Sequence, residues 1–496
     1  MSIHFLLKLL FNIFLVTGLI SRVNAMEEEP KKPNIVIFLA DDAGYGDFSS
    51  YGSKYGKTPV IDSLAEQGMK FTDFYAAASI CSPSRAGLMT GRIPARTGIY
   101  TFIPESEQTV WLPKSEITFP QLLKQQGYAT CHVGKWHLSH LWRRKGDRNW
   151  GGKEDQPQPS DFGFDYTFGT TNNALKTHHN PHNFSRNGDM VGPQEGYACQ
   201  LVADEGISWL QNREDKSQPF LLYVAYNEPH ETVAAPEEMV SQFTAYTNDD
   251  KKKELHVRTY YGALMNMDNS MGRILAYLDE AGLSDDTIVI FYSDNGSRKN
   301  MSYWAGTNLP LRGYKGNVWD GGIRSPAVIR WPGVIQSNSV SKVPVSAIDM
   351  LPTLCAITGA KIPEDRAIDG VNIMEVLKGG TEINRETPLF WFQAGSTPAV
   401  SMRDGDWSLV GYLNKFENQE GQRIRPVFNP DTMEYIKTAK FIKFELFNIR
   451  EDMSQTKKLA EIEPERFETM KAQMTKLFAE VVEEGPTWRF EEAANK

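Results

Sequence analysis

Four cysteines, Cys81, Cys131, Cys199 and Cys355, are too few to staple a chain of 496 residues, so no disulfide framework is expected. Positive charge is also short: 53 Lys and Arg stand against 62 Asp and Glu, a formal net charge of −9. That argues against a generally basic face for nucleic acid, and an anionic ligand has to be caught by a few placed cations. Internal repeats and low-complexity tracts are missing. Long apolar runs are missing too, apart from Phe5 to Ile20, which Lys8 interrupts. That run is too short and too punctuated for a membrane span, and the small residues Val23 and Ala25 suit a cleavage site. Residues 1–25 are therefore expected to be a signal peptide. The mature protein is then exported, periplasmic or extracellular, with no stable membrane span. No cysteine follows the run, which argues against a lipid anchor. Its removal takes Lys8 and Arg22 and moves the formal charge to −11.

What is present suits a folded protein: 41% hydrophobic and 23% charged residues, and chain enough for one large domain and a smaller one. Met26 to Pro33 reads as a solvated linker. Asn34 to Ala40 (NIVIFLA) is a continuous apolar run of strand length. Such a strand is buried on both faces, which points to a largely parallel sheet covered by helices. Tyr128 to Val133, Phe220 to Tyr226, Thr287 to Tyr292 and Ala327 to Arg330 read as further strands. Thr58 to Gly68 and Thr118 to Gly127 read as short helices closed by glycine. Leu255 to Ala281 has apolar residues at helical spacing before Gly282, and the charge run Asp249 to Glu254 reads as a solvated face. Trp142 to Gly196 is rich in Gly, Pro, Asn, Asp and His and reads as a long binding loop. Beyond about residue 380, the strand candidates Trp407 to Tyr412 and Phe441 to Phe447 precede an amphipathic helix, Pro464 to Glu484. The fold class is α/β. The main domain covers residues 26–380, and a smaller α+β domain with an antiparallel sheet and a helix covers 381–496.

Chemistry-bearing residues collect at the strand ends: Asp41-Asp42, Lys135 with His137, His230, and Asp294-Asn295. Ligands in parallel α/β sheets gather at those ends. The stretch Cys81-Ser82-Pro83-Ser84-Arg85 adds a helix start, with Ser82 as cap and Pro83 as first helical residue. Cys81 then lies just before a helix N-terminus, with Arg85 one turn on, and its thiol is expected to be acidified. With Lys315, the set suits an anion held beside a hard cation. Three carboxylates and an amide oxygen are the ligand types that Ca²⁺ or Mg²⁺ prefers.

Cys81 to Arg92 resembles the signature of the type I sulfatases, C-x-P-S-R followed by x-x-L-x-T-G-R. Asp41-Asp42-x-Gly44-Tyr45-Gly46-Asp47, Gly134-Lys135-Trp136-His137-Leu138, Asp294-Asn295-Gly296 and Leu311-Arg312-Gly313-x-Lys315 match family blocks in family order. In flavour the chain resembles the arylsulfatase A and N-acetylgalactosamine-6-sulfatase group, which Asp365 to Gly370 also fits. The resemblance implies an alkaline-phosphatase-like fold, a large mixed sheet flanked by helices, with residues 26–380 as the catalytic domain. It implies that Cys81 is converted to formylglycine (3-oxoalanine) by a formylglycine-generating or anaerobic sulfatase-maturing enzyme. The aldehyde hydrate is then the nucleophile, and its second hydroxyl lets the sulfated form collapse without water attacking sulfur. Asp41, Asp42, Cys81, Asp294 and Asn295 would ligate Ca²⁺, preferred here over Mg²⁺. Arg85 would support the hydrate, while Lys135, His137, His230 and Lys315 surround the sulfate. His230 would be the acid for the leaving alcohol and His137 the base, or the reverse. Where the family has Glu-Gly-Gly, this chain has Asp320-Gly321-Gly322, one methylene shorter.

The implied reaction is hydrolysis of sulfate monoesters of carbohydrates, with galactose or N-acetylgalactosamine units of algal polysaccharide or glycosaminoglycan as the expected substrate. Lys135, His230, Lys315, His178, His179 and Arg312 are the candidate substrate-binding residues, and Asn172, Asn173, His182 and Arg186 belong to the same polar segment. A phosphatase or phosphodiesterase of the same superfamily is the alternative. Asn295 after Asp294, and Cys rather than Ser or Thr at position 81, favour the sulfatase. A catalytically dead carbohydrate-binding relative would be expected to lose Cys81, Arg85 or Lys135. A hydrolase using an unmodified Cys81 thiolate is the third alternative.

Overall fold

The computed structural model describes residues 32–106, 109–142, 156–298, 305–395 and 397–490. The expected signal peptide, residues 1–25, lies outside the described residues. Among the described residues no helix is long and apolar enough to cross a membrane.

The central strand is β1, Asn34–Ala40, and all seven of its residues are buried. The strand period of two sends Ile35, Ile37 and Leu39 into one apolar cluster and Val36, Phe38 and Ala40 into another. That is why the run is apolar without alternation. Each face needs its own cover, and every side chain of the run is removed from water.

Along the chain follow β2 (Met69–Tyr75), β3 (Ala129–Lys135), β4 (Tyr166–Thr170), β5 (Ser185–Arg186), β6 (Asp189–Met190), β7 (Phe220–Ala225), β8 (Thr287–Ser293), β9 (Arg324–Arg330), β10 (Ser339–Ser341) and β11 (Val345–Ser346). They form one sheet in the order β10-β2-β9-β8-β1-β7-β3-β4-β5-β6, with β11 also on β2. β1 pairs in parallel with β7 and β8, and β3 in parallel with β7 and β4. β9 runs antiparallel to both β8 and β2. The large sheet is therefore mixed, more so than the largely parallel one expected from β1.

Two further differences have local causes. The Trp142–Gly196 segment contains β4, whose Phe168 is buried against β3 and the apolar cluster despite the polar surroundings of the strand. The helix expected from Leu255 spans Lys251–Glu280, because Asp250 caps it by accepting from Lys252 N and Lys253 N. Its charged start is thus the first helical turn. Helices α1 (Pro59–Gln67), α2 (Cys81–Thr90), α3 (Ala198–Asn212) and α4 (Lys251–Glu280) flank the sheet.

Strands β12 (Leu389–Gln393), β13 (Ala399–Asp404), β14 (Trp407–Leu413) and β15 (Phe441–Asn448) form a separate antiparallel sheet, followed by α5 (Pro464–Glu484). Leu409, Val410, Phe447, Met474 and Val481 from this part share one apolar cluster with Ile35, Ile37 and Leu39. A buried ion network adds to the join: Arg403 Nη2 on β13 donates to Asp73 Oδ1 on β2 at 2.9 Å, and Arg324 Nη2 donates to Asp73 Oδ2 at 3.0 Å. Burial alone would raise the Asp73 pKa, but Arg324 and Arg403 override it and hold the carboxyl below its usual value. All four cysteines are buried and unpaired.

Candidate active site

Because β1, β7 and β8 run in parallel, their carboxyl ends open on one edge of the sheet. Backbone bonds fix the register there: Asp41 N donates to Glu228 O and Asp294 N to Ala40 O, each at 3.0 Å. Asp42 follows in the left-handed region at φ 66°, an unusual conformation for a non-glycine residue and one that turns the chain away from the sheet. On β3, Gly134 has φ 105°, and a Cβ there would stand 1.8 Å from Ala225 O. Only glycine lets β3 lie this close to β7 immediately before Lys135.

Helix α2 delivers residue 81 to this edge. The helix starts two residues earlier than expected: Ile80 is its cap, Cys81 the first helical residue, and Ser84 N donates to Ile80 O at 3.0 Å. Ser82 Oγ instead accepts from Ile103 N at 3.0 Å. Cys81 Sγ lies 3.6 Å from Asp41 Oδ1 and 3.8 Å from Asp42 Oδ1, and Lys315 Nζ donates to it at 3.1 Å. The thiol is not acidified. Burial pushes its pKa up to about 12, outweighing the pull of Lys135 and Lys315. At neutral pH Cys81 is a protonated, buried thiol and a poor nucleophile.

The charges around it interlock. Lys135 Nζ donates to Asp41 Oδ2 at 2.7 Å and Lys315 Nζ to Asp42 Oδ2 at 2.7 Å. Arg85 donates through Nε and Nη2 to Asp294 Oδ2 and through Nη1 to Lys135 O. Burial would raise the Asp41 pKa, yet Lys135, His230 and Arg85 override it and hold the carboxyl well below its usual value. Asp294 goes the other way: burial and the neighbouring Asp41 charge push it up to about 7 despite Arg85.

The two histidines differ. His137, at φ 61°, donates through Nε2 to Ile103 O at 2.9 Å, which leaves Nδ1 buried without a hydrogen-bond partner among the described residues. Burial, with Lys135 and Arg85 nearby, holds it well below its usual pKa, so it is neutral. His230 places Nε2 3.5 Å from Asp42 Oδ2, and burial again lowers its pKa.

A metal ion fits the donor set. Asp41, Asp42, Cys81 and His230 bring ligand atoms within 4.8 Å of one another. Asn295 donates through Nδ2 to Asp42 Oδ1 at 2.7 Å, which leaves its Oδ1 buried and without a partner among the described residues. A buried amide oxygen left without a donor is a costly arrangement unless something positive accepts it, although Asp294 stands outside that close cluster and is taken up by Arg85 and Asp42 N.

The other candidates make different contacts. His178 is fully buried, with Nε2 3.4 Å from Asn173 Oδ1 and Nδ1 3.6 Å from Glu228 Oε1. His179 is exposed and stacks on Tyr197 with ring centroids 4.6 Å apart. Arg186 pairs with Glu205, and Arg312 stacks on Trp319 at 3.6 Å while donating to Gln455 O at 2.8 Å. Asn173 reaches the site itself, with Nδ2 3.2 Å from His230 Nδ1. Asn308 escaped notice in the sequence. Its Oδ1 accepts from Ser297 N at 2.8 Å and its Nδ2 donates to Ser297 O at 3.0 Å, which pins the loop after Asn295. A lone asparagine in a loop carries no local signal of that role.

A family model described as Sulfatase matches residues 33–360. The N-acetylgalactosamine-6-sulfatase of Rattus norvegicus is 33% identical over 417 residues, covering 78% of this chain and 73% of that protein. The steryl-sulfatase of Mus musculus is 31% identical over 466 residues, covering 78% of this chain and 72% of that protein. Among solved structures, Ps i-CgsB in complex with k-i-k-neocarrahexaose has a TM-score of 0.74 and 25% identity, over 92% of this chain and 94% of that one.

Proposed function

The chain belongs to the sulfatase family and is a sulfuric ester hydrolase; on that premise we propose that it removes sulfate from carbohydrates, with residue 81 as the reacting position. The observation that carries this is the seat of Cys81: a buried first helical residue whose Sγ faces Asp41, Asp42 and Lys315 within 3.8 Å. A thiol with a pKa near 12 is unsuited to attack sulfur, whereas the same position suits a modified side chain. Formylglycine made from Cys81 by a dedicated maturation enzyme would supply an aldehyde hydrate as nucleophile. Asp41, Asp42, Asp294, Asn295 and residue 81 would hold Ca²⁺, which would supply fixed positive charge against the sulfate oxygens.

The chain's own residues do the rest. Lys135 and Lys315 hold the sulfate oxygens and stabilise the negative charge that spreads over them as the ester bond breaks. Arg85 fixes Asp294 and the end of β3. His230, at the rim of the charged cluster, faces it through Nε2 and would donate a proton to the departing alcohol once the bound sulfate's negative charge favours the imidazolium form over the neutral ring that burial favours. His137, neutral and with Nδ1 bare, would serve as the base toward residue 81 once that residue is modified. Burial of every one of these groups but Lys315 and His230 keeps water out of the sulfur's surroundings.

The substrate reading is a galactose or N-acetylgalactosamine sulfate. It is supported by the relative named for N-acetylgalactosamine-6-sulfate and by the neighbour bound to k-i-k-neocarrahexaose. An exported enzyme suits such polymers. Mass spectrometry of the peptide spanning Cys81, from enzyme co-expressed with a maturation system, tests the nucleophile. Loss of the thiol in active protein is expected, and full activity with an intact thiol would overturn the reading. A panel of 4-O- and 6-O-sulfated galactose and N-acetylgalactosamine, with a steryl sulfate and a phosphate monoester as controls, tests the substrate. Turnover of the controls alone would sink the carbohydrate assignment.

A further inference from the structure

Arg312 belongs to the same block as Lys315, yet its guanidinium is spent elsewhere. It lies 3.6 Å over the Trp319 ring and donates through Nη1 to Gln455 O at 2.8 Å. Gln455 comes from the turn after β15, far along the chain from this loop. It is completely buried and holds φ 51°, a left-handed conformation that a non-glycine residue adopts only when its surroundings enforce it. Its side chain is used at both ends: Oε1 accepts from Asp320 N at 3.0 Å and Nε2 donates to Ser408 Oγ on β14 at 3.2 Å. Main chain and side chain of one residue therefore grip both ends of the segment 312–320, and Ser408 anchors that residue to the small sheet.

The gripped segment carries Lys315 at its middle. Its backbone is further held where Gly321 N donates to Arg312 O at 2.7 Å, which closes the segment into a loop. Lys315 N and Gly316 N donate to Ser297 O and Ser79 O, at 3.1 and 2.7 Å, next to the strand end of β8 and the start of α2. The lysine itself has a long, flexible side chain whose Nζ must stay on both Asp42 and Cys81 Sγ. A flexible cation gains precision when its backbone is fixed.

We infer that Gln455, with Arg312, is a positioning residue: it clasps the 312–320 loop to the C-terminal sheet and thereby sets Lys315 Nζ against residue 81 and the sulfate. This rests on the hydrolytic reading of the site given above. It also gives the C-terminal sheet a part in the reaction although it supplies no group to the charged cluster. Arg312 on this view holds the loop from outside and does not contact sulfate.

The test is a double-mutant cycle on the full-length matured enzyme, read as kcat and KM on 4-nitrophenyl sulfate or the fastest carbohydrate sulfate of the panel. Lys315→Met alone should lower kcat at least about a hundredfold. Gln455→Met, which keeps the length but loses both side-chain hydrogen bonds, should lower kcat about tenfold with KM changed less than about twofold. In the Lys315→Met background, Gln455→Met should slow the enzyme less than about twofold, because the clasp then has nothing to position. Equal slowing in both backgrounds, or unchanged kcat in Gln455→Met, would overturn the inference. If Gln455→Met does not fold, Arg312→Met on the protein surface takes its place in the same cycle with the same criteria. Undiminished kcat in Lys315→Met would instead refute the reading of the site, a result distinct from failure of the clasp.

Discussion

Arg85 and Asp294 meet through two hydrogen bonds to a single oxygen: Nε and Nη2 donate to Oδ2 at 3.1 and 2.9 Å, while Oδ1 accepts from Asp42 N at 3.2 Å. The same guanidinium donates through Nη1 to Lys135 O at 2.7 Å. One side chain on α2 thus binds the ends of β8 and β3, and all of it is buried. Replacing Arg85 by Met leaves Asp294 beside Asp41 without its neighbouring cation. The expected loss is roughly 3–5 kcal/mol in urea denaturation, with turnover reduced at least about a hundredfold. A variant that keeps wild-type stability would show that Asp294 does not depend on this pairing.

Metal removal is the second prediction. Asn295 Oδ1 has no partner among the described residues, and the carboxylates of Asp41, Asp42 and Asp294 repel one another at the same edge. Chelation should therefore lower both the denaturation midpoint and the rate, and added Ca²⁺ should restore both. At a hundredfold excess over Kd the ion contributes about 2.7 kcal/mol by linkage. Asn295→Ala should reduce the response to chelator. If chelation leaves stability and rate unchanged, a cation has no place in the site.

Much of this site is legible in the sequence because of how β1 is buried. Asn34 to Ala40 must be a strand covered on both faces, so Asp41-Asp42 mark a strand end. The same reasoning applies to Asp294-Asn295 after β8. Parallel pairing then brings together residues as distant as Asp42 and Asn295, whose side chains bond at a separation of 253 positions. Burial of the thiol is harder to foresee. A helix start beside cations suggests an acidified Cys81, but desolvation is a property of the packed surroundings and dominates the outcome. The roles of His178 and Arg312 were equally hidden. Both are polar residues in loops, and only tertiary packing shows one enclosed behind Asn173 and the other stacked on Trp319. The hold of Gln455 on the loop of Lys315 spans well over a hundred residues and has no local pattern at all.

The third prediction concerns the join between the two sheets. Asp73 on β2 is buried between Arg324 and Arg403, which approach its two oxygens at 3.0 and 2.9 Å. Neutralising it by Asp73→Asn leaves two buried guanidinium groups without that counter-charge, and should destabilise the protein by roughly 3–5 kcal/mol. Adding Arg403→Met to Asp73→Asn should cost less than the sum of the two single changes, because both act on one network. Additive losses in denaturant titrations would show that the pair is not coupled.

Asp268 on α4 should contribute less stability as pH rises toward neutrality. Its carboxylate oxygens accept from Val60 N at 3.0 Å and Ile61 N at 2.9 Å, and so cap α1. Burial nevertheless pushes its pKa up to about 7, above the value it has in the unfolded chain. Between about pH 4 and pH 7 the folded protein keeps a proton that the unfolded chain has released. This group's contribution is complete below the unfolded pKa and is lost as pH climbs through the folded one, at up to about 1.4 kcal/mol per pH unit. Asp47 and Glu228, raised by burial to about 7 as well, act in the same direction. Asp268→Asn has no proton to release, and its Oδ1 still accepts from one backbone N–H. The variant should therefore show a pH–stability slope more positive than the parent's by up to about 1.4 kcal/mol per unit over that window in urea denaturation. An unchanged slope would mean that Asp268 is ionised in the folded protein throughout, and that its two backbone hydrogen bonds outweigh the cost of burying its charge.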